Sequence, residues 1–287
     1  MIRILIVFSL MISFVANAAK RSEAKLTQGK NIRELTRDFR KKEKKKKPAP
    51  KFNLKTTNGK FLYLFYHAHT KKDIATLKKR VLNSKGKAIP SIIEVMKNKI
   101  YPDKNRWLAT FLLGRTMGKK SSAFIAKFLF HPNWVLRMAS LKTLLALRAK
   151  KFGSAFAKLL KDKSFIVRTQ ALENIKQLKL RELSPYVWQM LYDQSNYYTS
   201  AKEKTKKGVA KTKGTAIVKN IILAIGELQF MKAKGPLLKM AGKRKYDDIF
   251  DEIDFSLARI TGKKSPEGPK TIKKRFWQRL LVASAEI

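Results

Sequence analysis

Arg106, Arg137 and Arg168 stand 31 residues apart, and their surroundings repeat with them. Three residues after each comes Ala109, Ser140 or Ala171, small enough to let two helices approach closely. Seven after comes Leu113, Leu144 or Ile175, nineteen after comes Ile125, Phe156 or Val187, and twenty-three after comes Leu129, Leu160 or Leu191. A fourth copy fits on Val218, with Ile221, Ile225, Leu237 and Ala241 at the same offsets and Gly226 where the first copy has Gly114. Apolar residues at these offsets describe two helices facing a shared core across a short turn. One such pair cannot bury its own stripe, so the pairs must stack into a continuous core. A less regular unit precedes the first copy, with Ala88 to Ile93 reading as the second helix of a pair.

The step from Arg168 to Val218 exceeds the period, and the excess falls in residues 193–215, which are rich in Lys and Gly without apolar periodicity. They read as a mobile, Lys-rich loop. Ahead of the repeats, residues 51–72 read as a hairpin or an irregular cap. Asn58-Gly59 lies between apolar alternations, which is a hairpin signal, yet the apolar run Phe61 to Tyr66 could equally open a helix. Residues 19–50 are polar and basic, closing on Lys44 to Lys47 and two prolines, and read as a flexible basic arm. Residues 1–18 read as a signal peptide. Arg3 supplies the positive start, Ile4 to Val15 the apolar run, and Ala16-Asn17-Ala18 the small residues before cleavage. The mature chain, residues 19–287, is then expected to be soluble and exported, either periplasmic or secreted, with no later transmembrane span.

The stretch Asp162-Lys-Ser-Phe-Ile-Val-Arg168-Thr-Gln-Ala-Leu resembles the opening of HEAT repeats of the phycobilisome-lyase-like type. Ala224 to Leu228 is similar to the end of a first helix in that family, and Ser256 to Gly262 with Phe276-Trp277 is similar to its closing segment. The resemblance spans about Asp73 to Leu281 and implies an all-α fold, a right-handed α-solenoid of stacked HEAT-type helix pairs over residues 73–287. The family consists mostly of interaction scaffolds. His131 stands where it usually has Asp, which puts the expected hydrogen bonding between repeats in question at that position.

Composition restricts the chemistry. The chain has no Cys and three His, which removes disulfides, thiolate metal sites and cysteine nucleophiles. His67 and His69 could face a metal together, but only Asp73 lies near as a third ligand, so they read as polar residues ahead of a helix. His131 reads as a turn residue. Asp247, Asp248, Asp251, Glu252 and Asp254 read as offsetting Lys243, Arg244 and Lys245 and favouring the start of the last repeat's helix. No nucleophile-base arrangement and no phosphate-binding loop is visible. The expectation is therefore no enzyme activity, no catalytic residues, no metal and no cofactor.

Lys and Arg number 65 against 20 Asp and Glu, a formal charge of +45, and such a field attracts polyanions. Lys127, Lys158, Gln189 and Lys239 share one offset, twenty-one residues after each anchor, on second helices that line the concave face in the family. They form a candidate polyanion groove, with Trp188 and Tyr192 adding aromatic surface. Trp107, Trp134 and Trp277 read as core or turn residues. The expected function is an exported scaffold that binds an acidic protein or an anionic envelope polymer, with electrostatic contact to a membrane surface also compatible. The alternative is a nucleic-acid binder, as in the HEAT-like alkylpurine DNA glycosylases, although no glycosylase active-site residues are recognisable.

Overall fold

The computed structural model describes residues 50–204, 210–214 and 216–283. The residues expected to form a signal peptide (1–18) and nearly all of those expected to form a basic arm (19–50) lie outside them. Phe52–Ile287 forms one compact unit. Its helices are α1 (Thr57–His67), α2 (Lys71–Asn83), α3 (Ile89–Lys97), α4 (Asp103–Met117), α5 (Ser122–Ala126), α6 (Trp134–Ala146), α7 (Gly153–Leu159), α8 (Phe165–Gln177), α9 (Ser184–Gln189), α10 (Ala216–Glu227), α11 (Lys234–Ala241), α12 (Phe250–Thr261) and α13 (Lys270–Ala283). From α4 onward these are the paired helices of an α-solenoid. The first helices α4, α6, α8, α10 and α12 pack each on the next, and short second helices pack between them.

The repeat offsets are the core. Ala109, Ser140, Ala171 and Ile221 are fully buried, as are Leu144, Ile175, Ile225, Ile125, Phe156, Val187 and Leu237. The repetition reaches the backbone. Each of α6, α8 and α10 ends on a left-handed residue eleven positions after its anchor: Arg148, Lys179 and Gln229, with φ of 52°, 54° and 54°. The next residue then donates back to a carbonyl five positions earlier, Ala149 to Leu144, Leu180 to Ile175 and Phe230 to Ile225. This is the Schellman closure that turns the chain into the second helix. Each second helix then opens with one 3₁₀ turn, at Lys150–Phe152, Arg181–Leu183 and Met231–Ala233.

The arginine anchors hold neighbouring units together. Arg137 Nε and Nη2 donate to the two oxygens of Asp162 at 2.8 and 2.7 Å, and its Nη1 donates to the His131 and Pro132 carbonyls. Both side chains are largely buried. Asp162 Oδ1 also accepts from Ser164 N at the start of α8. Arg168 repeats the motif one unit on, donating from Nε to Asn196 Oδ1 and from Nη2 to the Ser195 carbonyl. At Arg106 the carboxylate position is His131, and the guanidinium turns instead to the Met96 carbonyl and Asp103. His131 keeps the turn half of the aspartate's role, its Nδ1 accepting from Asn133 N, and its ring stacks on Phe128. Burial and the charges of Arg106, Lys99 and Arg137 hold its imidazole below the usual range.

Two sequence expectations are corrected. Residues 51–72 are not a hairpin. Thr56 caps α1 by accepting from Gly59 N, and Phe61, Leu62 and Phe65 turn to the core. Gly59 serves packing, not a turn: a Cβ there would come within 1.9 Å of the Asn53 carbonyl oxygen. Residues 193–215 are not wholly a loop either. Strands β1 (Tyr197–Lys204) and β2 (Ala210–Gly214) pair antiparallel, Tyr197 opposite Gly214 and Ser200 opposite Lys211. A two-stranded ribbon held by main-chain bonds needs no apolar alternation, so the sequence carried no strand period there. Apart from this hairpin the described residues are helical or irregular.

At the far end Trp277 is fully buried on α13, and its indole N–H donates to Asp254 at 2.7 Å. Helix backbones approach closely where Gly226 of α10 meets Ser256 of α12, since a Cβ would lie 2.6 Å from the Ser256 Cα.

Asp162→Ala strips the carboxylate from a buried guanidinium and removes the acceptor of Ser164 N in the turn before α8, and is expected to cost about 3 kcal/mol in urea unfolding. Gln229→Gly relieves a left-handed side chain and is expected to raise stability by about 1 kcal/mol. Lys142 on α6 is half-buried, and burial pushes its ammonium down to about 8 from 10.5. Between those values the unfolded chain binds the extra proton, so this group makes stability rise with pH from about 8 to 10.5. Lys142→Met should flatten that rise in paired pH titrations of thermal unfolding.

Candidate functional site

The residue step that interrupts the repeat also opens its surface. Between α9 with its following 3₁₀ turn (Met190–Tyr192) and α11 lies a basin of about 1130 Å³, closed on one side by the 3₁₀ segment Arg244–Ile249. Leu191 holds the offset that Leu129 and Leu160 bury, yet it is only half-buried and lines this basin. The core stripe thus surfaces where the repeat is interrupted.

The hairpin is rooted in the same place. Asn196 is buried, and its amide donates to the Met190 carbonyl while its oxygen takes Arg168 Nε. Tyr197, the first residue of β1, donates its hydroxyl to the Leu191 carbonyl at 2.7 Å. Burial, with Tyr246 and Tyr192 nearby, raises the Tyr197 phenol. Gln194 and Tyr197 thereby become fixed parts of the lining.

Of the residues singled out from sequence, Trp188, Tyr192 and Lys239 meet in this basin. Trp188 is half-buried against the core, whereas Tyr192 is 71% exposed. Lys127, Lys158 and Gln189 are exposed at matching places on or beside α5, α7 and α9, but outside the lining. The basin brings in residues the sequence reading did not select: Lys243, Arg244, Lys245 and Tyr246.

The acidic cluster explains why. Asp247 pairs with Lys274, Asp251 with Lys270 and Asp254 with Lys273, all on α13, while Glu252 pairs with Lys219. The expectation that these carboxylates offset Lys243, Arg244 and Lys245 is corrected: the last helix takes three of them and α10 takes Glu252. Lys243, Arg244 and Lys239 are exposed and have no side-chain partner among the described residues. Lys245 lies over the Tyr246 ring, 4.8 Å from its centroid. Asp248 is the one lining carboxylate with no ion pair among the described residues.

The other candidates stay structural. His67 and His69 rings stand 6.5 Å apart, and His67 packs on Tyr63, Tyr66 and Phe52. Asp73 caps α2 by accepting from Thr70 N. No cluster of three metal-ligating side chains exists among the described residues. No described helix is long and apolar enough to cross a membrane.

No family model matches the chain, and no curated protein matches it. Among solved structures it is similar to the complex of CpcE and CpcF of phycocyanin lyase from Nostoc sp. PCC7120. The identity is 11% over 82% of this chain and 97% of that one, with a TM-score of 0.38. The expectation of no enzyme activity is withdrawn on that finding, because the protein of that structure is a lyase.

Arg168→Gln should release the Asn196 root. Hydrogen exchange is expected to speed up across Met190 to Tyr197 while the amides of α4 keep their protection.

Proposed function

We propose that this helical repeat protein is an exported scaffold that binds an anionic partner, an acidic protein or an anionic envelope polymer, at the basin between its third and fourth repeats. The observation that carries the reading is the set of exposed, unpaired cations, Lys239, Lys243 and Arg244, beside aromatic surface in one concavity. Unpaired cations on a fixed wall bind a polyanion with little further ordering, and counterion release adds to the gain. Lys127 and Lys158 extend the positive surface along the second helices, with Gln189 as an uncharged step. Export rests on the leader over residues 1–18, with a mature chain beginning at Ala19.

The test is charge reversal at fixed salt. Lys239→Glu, Lys243→Glu and Arg244→Glu together should weaken binding of polyglutamate and polygalacturonate at least tenfold at physiological ionic strength. Lys127→Glu with Lys158→Glu should weaken it less. A triple variant that binds both polymers as the parent does would sink the basin reading. A single-stranded oligonucleotide bound far more tightly than either polymer would favour a nucleic-acid partner instead. Export is checked by mass spectrometry of the native chain, where an intact residue 1–18 segment would count against it.

A further inference from the structure

An anion that offers nothing but charge needs nothing but cations, and the basin holds more than cations. Trp188 and Tyr192 present aromatic surface, Tyr197 and Tyr246 continue it, Gln194 adds an amide and Asp248 an unpaired carboxylate. A carboxylate works against the binding of a bare polyphosphate. It is instead a strong acceptor for hydroxyl groups, since an ionised carboxylate only accepts hydrogen bonds. Aromatic faces, a hydroxyl acceptor and nearby cations match three properties of one ligand class. A pyranose ring carries an apolar C–H face, a rim of hydroxyls and, when acidic, a carboxylate.

Resting on the binding role proposed above, we propose that the basin recognises an anionic oligosaccharide, a chain of uronate-bearing sugars. One ring lies on Tyr192 and Trp188, hydroxyls donate to Asp248, and the carboxylates face Lys239, Lys243 and Arg244. The volume of about 1130 Å³ exceeds the range of roughly 300 to 1,000 Å³ usual for a small-molecule cleft, and so suits several linked sugars. Asp248 is free for this role because its neighbour Asp247 is the residue that Lys274 takes. The root of the hairpin fixes Tyr197 at the rim, so that ring is set before the ligand arrives.

The test uses the full chain and defined probes: a galacturonate hexamer, its methyl ester, a polyphosphate of matched charge and an oligothymidylate. Tyr192 is exposed, so Tyr192→Ala should fold normally. It is expected to weaken the galacturonate hexamer roughly tenfold by calorimetry and to leave the polyphosphate unchanged. Asp248→Ala should weaken the hexamer yet tighten the polyphosphate, a crossing of signs that charge alone does not produce. The methyl ester should bind weakly to the parent. Hexamer affinity untouched by both substitutions would overturn the proposal. So would a loss on Tyr192→Ala that falls chiefly on the oligothymidylate, which would assign the aromatic floor to bases. Failure of the triple charge reversal to affect any probe is a different result, because it removes the binding role itself. An effect of charge reversal with no effect of Tyr192 or Asp248 removes only the sugar.

Discussion

Two buried groups, the Arg137 guanidinium and the Asp162 carboxylate, set the spacing between units. A guanidinium out of water is tolerated only when its donors are met, and a fork-to-fork pair with a carboxylate meets two of them in one fixed geometry. Asp162 meets a further need at the start of α8, and its own carbonyl takes Arg168 Nη1. The turn between two units is therefore bonded to the first helix on both of its sides. Because Arg168 passes the same grip to Ser195 and Asn196, the chain of clamps runs into the root of the hairpin and stops at the basin. The order of the basin wall is thus a consequence of the order of the repeat. At Val218 the clamp has no arginine, and the close contact of Gly226 with Ser256 brings α10 and α12 together instead.

How much of this could be read from the residues depends on which physics wrote them. The apolar offsets were legible because burial in a stacked core repeats at the period of the unit, and Ala109, Ser140 and Ala171 carry that requirement in their size. His131 was legible as a departure, and the structure separates its two consequences: the turn bond from Asn133 N survives, and the pairing with Arg106 does not. Left-handed closure at Arg148, Lys179 and Gln229 left no mark, since glycine stands at none of the three. Asn58-Gly59 misled for the opposite reason. A glycine placed for close packing on the Asn53 carbonyl looks, in sequence, like a glycine placed for a turn.

The site was half legible. Lys239 followed from the repeat register, at a solvent-facing offset on a second helix, and Trp188 and Tyr192 from their nearness in sequence to Gln189 at the same offset. Lys243, Arg244 and Lys245 did not, because their meaning turns on where the neighbouring acids go. Sequence proximity pairs them with Asp247 to Asp254, whereas the fold delivers Lys270, Lys273 and Lys274 on α13 to those carboxylates. Nothing in the order of residues shows a helix some twenty positions downstream arriving first.

That competition matters more here than in an ordinary protein. With 65 cations and 20 acids, most cations have no acid to pair with one to one, so lack of an acidic partner by itself marks nothing. What distinguishes a cation is the company of groups that do not help solubility. Lys127 and Lys158 have positive charge and open solvent, which any solvated helix offers. Lys239, Lys243 and Arg244 share their concavity with exposed Tyr192, half-buried Trp188 and a carboxylate that α13 left unpaired. Exposed aromatic surface costs solvation, and a free carboxylate weakens a purely electrostatic grip, so both work against a surface whose role is charge alone. Their coincidence at the one place where the repeat is interrupted is what separates this basin from the rest of a uniformly basic molecule.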